Sequence, residues 1–222
     1  MATRLVYIPE TDPDLPQLVH EHEVDFQWIP GRNTTQQKAN VAKLHRAAAH
    51  RKLAPLLEVS AVAEDPFGIQ ICPSNLTVKD ARSYLVPVVA AFHGSKIFTG
   101  GGPFNDLFRR TEAEILADMR LTQSGSLAGY RFLGLEWGLK SGTMFYDWLS
   151  VHAIHRQPQL RSGIVRYMGF TDVGCRSGED SVCHARSCAL YVALAAKQII
   201  DKVIKDQDLF INTLVRDSFY RS

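Results

Sequence analysis

The chain has 222 residues, enough to bury a substantial core. Hydrophobic residues make up 45% and charged residues 22%, an ordinary globular composition that excludes disordered, collagenous and fibrous classes. The 25 Lys and Arg against 23 Asp and Glu leave a formal charge of +2, which neither demands nor excludes a nucleic-acid partner.

Arg4 to Ile8 reads as a short strand. From Glu23 to Trp28, apolar Val24, Phe26 and Trp28 alternate with polar residues, the period of a half-buried strand that Pro30-Gly31 ends. Asn33, with Gln36 three positions on, caps a helix whose Val41, Leu44 and Ala48 share a face. Leu56 to Ser60 reads as a buried strand and residues 61–73 as a loop broken by Asp65-Pro66. Asn75 to Val78 and Leu85 to Val89 read as short extended segments.

A helix is expected over Ala91 to Phe98, ending at Gly100-Gly101-Gly102. Thr111 and Glu114 form a capping box for the next. Tyr130 to Trp137 reads as one strand, Thr143 as the cap of a helix through FYDWLSVHAI, and Pro158 as a first-turn residue. Ser181 opens a long helix with Cys188, Val192, Ile199 and Val203 near one stripe. Strands early and helices late predict an α+β fold, a small mixed sheet flanked by helices. No linker-like stretch divides the chain, so a single domain over 1–222 is expected.

The longest apolar run, Cys188 to Ala196, is far below the roughly 20 residues of a membrane helix. The first residues lack the apolar core of a signal peptide. A cytoplasmic protein with no membrane contact is the expectation. Cys72, Cys175, Cys183 and Cys188 match no zinc-ligand spacing, even with His184 beside Cys183. They are expected as reduced, partly buried thiols, with no metal and no cofactor.

Four segments are unusual for scaffolding: PSNL (Pro73–Leu76), FHGSK (Phe92–Lys96), GGGPFND (Gly100–Asp106) and FYDWL (Phe145–Leu149). Lys96 lies in a mostly apolar stretch. Its ammonium either reaches solvent or sits in an apolar pocket, where burial lowers its pKa and a neutral amine can attack a carbonyl-level carbon. The glycine loop either cradles an anion such as a phosphate with its N–H groups or simply ends a helix. Phe145, Tyr146 and Trp148 fit a core as readily as a cofactor platform. Asp147 between them, if buried, needs a partner or a task. Asp172 in FTDVG is also a natural Asx-turn residue.

PSNL, FHGSK and the late CHARSCALYVAL stretch resemble the NADAR family, which carries an FSNF-like segment, an FQAxK-like helix and a terminal small-residue and leucine-rich helix. EVDFQWIPG, GSKIF followed by GGP, FYDWL, and FTD before the last long helix are similar to stand-alone NADAR antitoxins paired with DarT-type DNA ADP-ribosyltransferase toxins. The resemblance covers most of residues 20–195. It implies a hydrolase that removes ADP-ribose from the guanine amino group of ADP-ribosylated DNA, releasing ADP-ribose and opposing a DarT-type toxin.

Carried over by position, Lys96 is the family lysine, and Asn75 and Phe92 match its pocket motifs. Ser74, Gly101, Gly102, Asp106, Tyr146, Trp148 and Asp172 are expected to contact substrate. Val89 stands where the family usually has a glutamate, so Glu58 or Asp147 is expected to act as acid or base with Lys96. Two alternatives remain open: an N-glycosidase on a small riboflavin-pathway-like nucleotide, and a non-catalytic binder of ADP-ribose or of the toxin.

Overall fold

The computed structural model describes residues 1–31, 33–175, 182–217 and 220. Strand β1 (Ala2–Pro9) pairs along its whole length with β2 (Val19–Phe26), where Val24 and Phe26 point inward and Glu23 and Asp25 outward. Helix α1 (Thr34–His50) follows. The Asn33 side chain accepts from the Gln36 N–H at 2.9 Å, and Val41, Leu44 and Ala48 are buried, as the spacing predicts.

After β3 (Leu56–Glu58), the expected loop contains a short helix, α2 (Pro66–Gln70). Asp65 caps it through the Phe67 N–H, and Pro66 occupies its first turn. Strands β4 (Thr77–Lys79) and β5 (Leu85–Pro87) form a small antiparallel pair.

Helix α3 spans Val88–Gly94 and stops before Lys96, which opens strand β6 (Lys96–Phe98). The expected helix over Ala91 to Phe98 is therefore half helix and half strand. The backbone from Ser95 onward is captured by a partner about thirty residues away: Arg131 N–H donates to Ser95 O at 2.8 Å, and Lys96 stands opposite Tyr130.

Helix α4 (Glu112–Leu116) opens on the full Thr111–Glu114 capping box, and α5 (Arg120–Gln123) follows. The expected single strand over Tyr130 to Trp137 is a hairpin of β7 (Leu127–Phe132) and β8 (Leu135–Gly138). Its turn places Leu133 and Gly134 at φ 52° and 80°, the two-residue geometry that matches strand twist.

Helix α6 (Gly142–His155) starts one residue before Thr143, so Thr143 lies in its first turn and Ser141 precedes it without a side-chain cap. Pro158 opens α7 (Pro158–Ile164), and β9 (Gly169–Thr171) follows. The expected start at Ser181 lies outside the described residues, and Cys183 is the residue preceding α8 (His184–Ala196). The expected long helix ends at Ala196, because Gln198 turns to φ 58°. Ile199 and Val203 belong to the short α9 (Ile200–Val203) and its approach, and α10 (Gln207–Leu214) follows.

The principal sheet has the order β2-β1-β9-β3, with β3 parallel to β9 and the other pairs antiparallel, which makes it mixed within an α+β fold. Its two faces separate by strand alternation. Val6, Val24, Phe26 and Leu56 pack with α1, while Tyr7, Leu57 and Phe170 face the larger core built around α6 and α8. Every residue of α8 from His184 to Leu194 is buried. The sheet β6-β7-β8 closes over α6. Among the described residues, no helix is long and apolar enough to cross a membrane.

Candidate functional site

Lys96 is half-buried at the junction of α3 and β6. Its Nζ lies 3.1 Å from His93 Nδ1 and 5.1 Å from the centre of the Phe92 ring. Burial lowers the lysine pKa. Burial, then the nearby lysine, lowers that of His93 to about 4, so the imidazole is neutral near pH 7. An ammonium must then donate to Nδ1, which places the ring hydrogen on Nε2.

Phe92 anchors this pair to the core. It stacks on Tyr130 at 5.3 Å between centroids and meets Tyr146 edge-on at 5.1 Å. Tyr146 is fully buried, with its hydroxyl 3.4 Å from His184 Nδ1. His184 Nε2 is 2.7 Å from the Ile71 carbonyl, which fixes Nε2 as the protonated nitrogen. The Ile71 carbonyl immediately precedes Cys72 and the PSNL turn. Val89 also reaches this turn, its N–H donating to Pro73 O at 3.1 Å. The fold therefore brings FHGSK, PSNL, FYDWL and the start of CHARSCALYVAL into one neighbourhood.

Within PSNL, Ser74 Oγ donates to Glu112, and the exposed Asn75 donates through its side chain to Ile69 O at 2.9 Å. In the glycine loop, Gly100 N–H donates to Ser124 O at 2.9 Å and Gly101 N–H to Phe98 O at 3.2 Å. Those two donors are spent within the protein, which corrects the anion-cradle reading for them. Gly102 has a different task. At φ 97° its Cα approaches β6 so closely that an added Cβ would stand 2.3 Å from Lys96 O.

The two carboxylates expected beside Lys96 are engaged elsewhere. Glu58 sits on the α1 side of the principal sheet. It accepts from Ser60 Oγ at 2.7 Å, Thr171 Oγ1 at 2.7 Å and Val173 N–H at 2.9 Å. Burial and then the Asp172 charge push its pKa up to about 7. Asp147 is buried on α6, accepting from Ser187 Oγ at 2.6 Å and from the Tyr220 hydroxyl, with Arg186 at 3.4 Å. Among the described residues, neither shares a hydrogen bond, ion pair or ring contact with Lys96. The physical reason is the alternation of strand and helix faces, which sends both side chains away from the Phe92 side.

Trp148 is core, packed on Trp137, Phe132 and His152. Asp106 is gripped by Arg120, with its two oxygens 3.2 and 2.7 Å from the guanidinium. It lines a cleft of about 1060 Å3 that also presents Arg82, Arg109, Arg110 and Arg131. Asp172 stands near Cys175 and Cys183, their ligand atoms within 4.8 Å of one another. His93 is the residue that sequence reasoning passed over. It lies inside the quoted FHGSK, three positions before Lys96, a spacing that places two such side chains together at a helix end.

The chemistry on offer is a partly desolvated amine against a neutral imidazole over an aromatic floor, with an arginine-lined cleft elsewhere on the surface. No curated protein matches the chain. A family model does: the DarT1-associated NADAR antitoxin matches residues 2–222, essentially the whole chain, whose Lys96, Phe92 and PSNL turn meet as described, and the protein belongs to that family.

Proposed function

We propose that the protein is an N-glycosidic bond hydrolase that removes ADP-ribose from guanine in ADP-ribosylated DNA and so reverses the action of a DarT-type toxin. The observation that carries this reading is the Lys96 amine, desolvated and held 3.1 Å from a neutral His93. Ring opening of the ribose leaves an imine-level C1 bonded to the guanine nitrogen. Neutral Lys96 adds to C1, the C1–guanine bond breaks, and the guanine amine departs with a proton relayed through His93. Water then adds to C1, the C1–Nζ bond breaks, and ADP-ribose and free Lys96 result. The net reaction consumes one water. Arg82 and Arg109 of the cleft offer guanidinium groups to the DNA backbone phosphates, while Arg110 and Arg131 are paired with Glu114 and Glu136.

Release of ADP-ribose from ADP-ribosylated DNA in excess over protein tests the reading. Lys96→Ala and Lys96→Arg should both abolish turnover, since a guanidinium is not a usable nucleophile at neutral pH. Borohydride during turnover should fix ADP-ribose to Lys96. An active Lys96→Arg variant with no trapped adduct would overturn the covalent route. A panel of small N-glycosides tests the riboflavin-pathway-like substrate alongside.

A second reading is favoured by one observation. With Val89 apolar and Glu58 and Asp147 engaged elsewhere, no carboxylate touches Lys96 among the described residues. A protein that binds ADP-ribose without hydrolysis would need none, and it would release no ADP-ribose in the same assay.

A further inference from the structure

The fold gathers groups that sequence spacing leaves apart. Asp172, Cys175 and Cys183 each offer a ligand atom, and those atoms all lie within 4.8 Å of one another. Cys183 is the residue before the first turn of α8, a helix of 13 residues, and its side chain makes no capping hydrogen bond. The Tyr7 hydroxyl, from β1, lies beside the Cys183 thiol. Cys188 lies one turn and a half into α8 and is not part of this cluster. Nothing in the proposed glycosidic reaction uses the two thiols.

We propose that Asp172, Cys175 and Cys183 form a binding site for one borderline-soft divalent cation, of which zinc is the best fit. Two sulfur donors exclude magnesium and calcium, which take oxygen ligands. In a tetrahedral zinc set, sulfur and oxygen ligands stand about 3.5–3.8 Å from one another, so closing the present cluster needs shifts of only about 1 Å. Coordination displaces the two thiol protons to solvent. The resulting set, two thiolates and a carboxylate around a dication, carries one negative charge at the positive end of the α8 dipole. Tyr7 supplies the outer hydrogen bond to a ligating sulfur that such sites require. The carboxylate separates this reading from a simple disulfide pair, which has no use for a third, oxygen ligand. Three protein ligands leave the fourth position for water or an incoming group. The site reassigns Asp172, expected above as a substrate contact, and it replaces the expectation of reduced thiols with no metal.

The test needs no turnover, so its failure would leave the glycosidase reading untouched. Full-length reduced protein is stripped with a chelator and given one equivalent of zinc. It is then dialysed and analysed for metal, with cobalt used in parallel for its thiolate charge-transfer absorption. One metal per chain should be retained. Cys175→Ser, Cys183→Ser and Asp172→Asn should each lose it with far-UV circular dichroism unchanged, while Cys72→Ser and Cys188→Ser retain it. Tyr7→Phe should weaken binding by about 10-fold. No stoichiometric uptake by the wild type, or uptake indifferent to Cys175→Ser and Cys183→Ser, would overturn the site. So would a cobalt spectrum without thiolate bands. Two thiols that disappear with oxidised glutathione and return with reductant, in a protein that takes up no zinc, would mark a redox pair in its place.

Discussion

A lysine amine is a nucleophile only when neutral, and two features around Lys96 favour that form. Partial burial withdraws solvent from the ammonium, and the aromatic floor of Phe92 offers only a weak cation–π contact in return. The neutral His93 accepts one hydrogen bond without adding a compensating negative charge. In the proposed route His93 holds the amine and passes a proton on transiently, without storing it. His93→Leu should lower the rate of ADP-ribose release on the order of 100-fold, the scale of a lost acid–base partner, with melting temperature little changed. An unchanged rate would leave His93 as packing alone. Lys96 itself was legible in the sequence as a cation in an apolar stretch. The carboxylates were not, because residue type cannot reveal that Glu58 is turned toward Thr171, 113 positions away, and Asp147 toward Ser187, 40 positions away.

At the level of elements, side-chain caps are the most legible signals, although the cap expected at Thr143 is absent and the helix capped by Asp65 falls within an expected loop. The caps at Asn33 and Thr111 depend on side chains three positions from their targets, and both hold. Elements decided by distant pairing were misjudged. Lys96–Phe98 takes its extended form from β7, whereas the Tyr130 to Trp137 segment hides a local turn because Leu133 is a poor turn residue. That mismatch yields a paired prediction. Gly134 lies at φ 80° with nothing within 4 Å of an added Cβ, so Gly134→Ala should cost about 1 kcal/mol through backbone strain alone. Leu133→Asn, which suits a positive φ and removes an exposed apolar side chain, should instead raise the midpoint of chemical denaturation. Midpoints that move together in one direction would contradict the turn assignment.

Across the whole molecule, buried titratable groups set the response to pH. Burial lowers His45, His93, His152 and His184 to about 4. Between pH 4 and 6.5 the unfolded chain binds protons that these rings refuse, so their contribution to stability falls as pH falls. Glu58 acts in the opposite sense. With its pKa raised to about 7, the folded state holds a proton that the unfolded state has lost above about 4.5, so its contribution falls as pH rises through that window. Glu21 and Asp147 are also raised by burial and act with Glu58, while His22 joins the four lowered rings; five imidazoles outweigh three carboxylates, and stability should decline toward acid. Glu58→Gln removes the opposing contribution and should steepen the decline in melting temperature between pH 6.5 and 4. A shallower decline in the variant would refute the assignment.

The carboxylate of Asp217 carries a consequence for synthesis. It accepts from the backbone N–H groups of Leu18 at 2.8 Å and Val19 at 3.2 Å, so the start of β2 is satisfied by a residue 199 positions downstream of Leu18. Close by, the Tyr220 hydroxyl completes the shell of buried Asp147. At about 5–20 residues per second, a ribosome adds Asp217 roughly 10–40 s after Leu18. During that interval the first hairpin has emerged without its last hydrogen-bond partner, and α6 carries a buried acid still awaiting its tyrosine. Native closure thus waits on a segment made long after the hairpin, and every nascent chain spends those seconds as an incomplete fold exposed to chaperones and proteases.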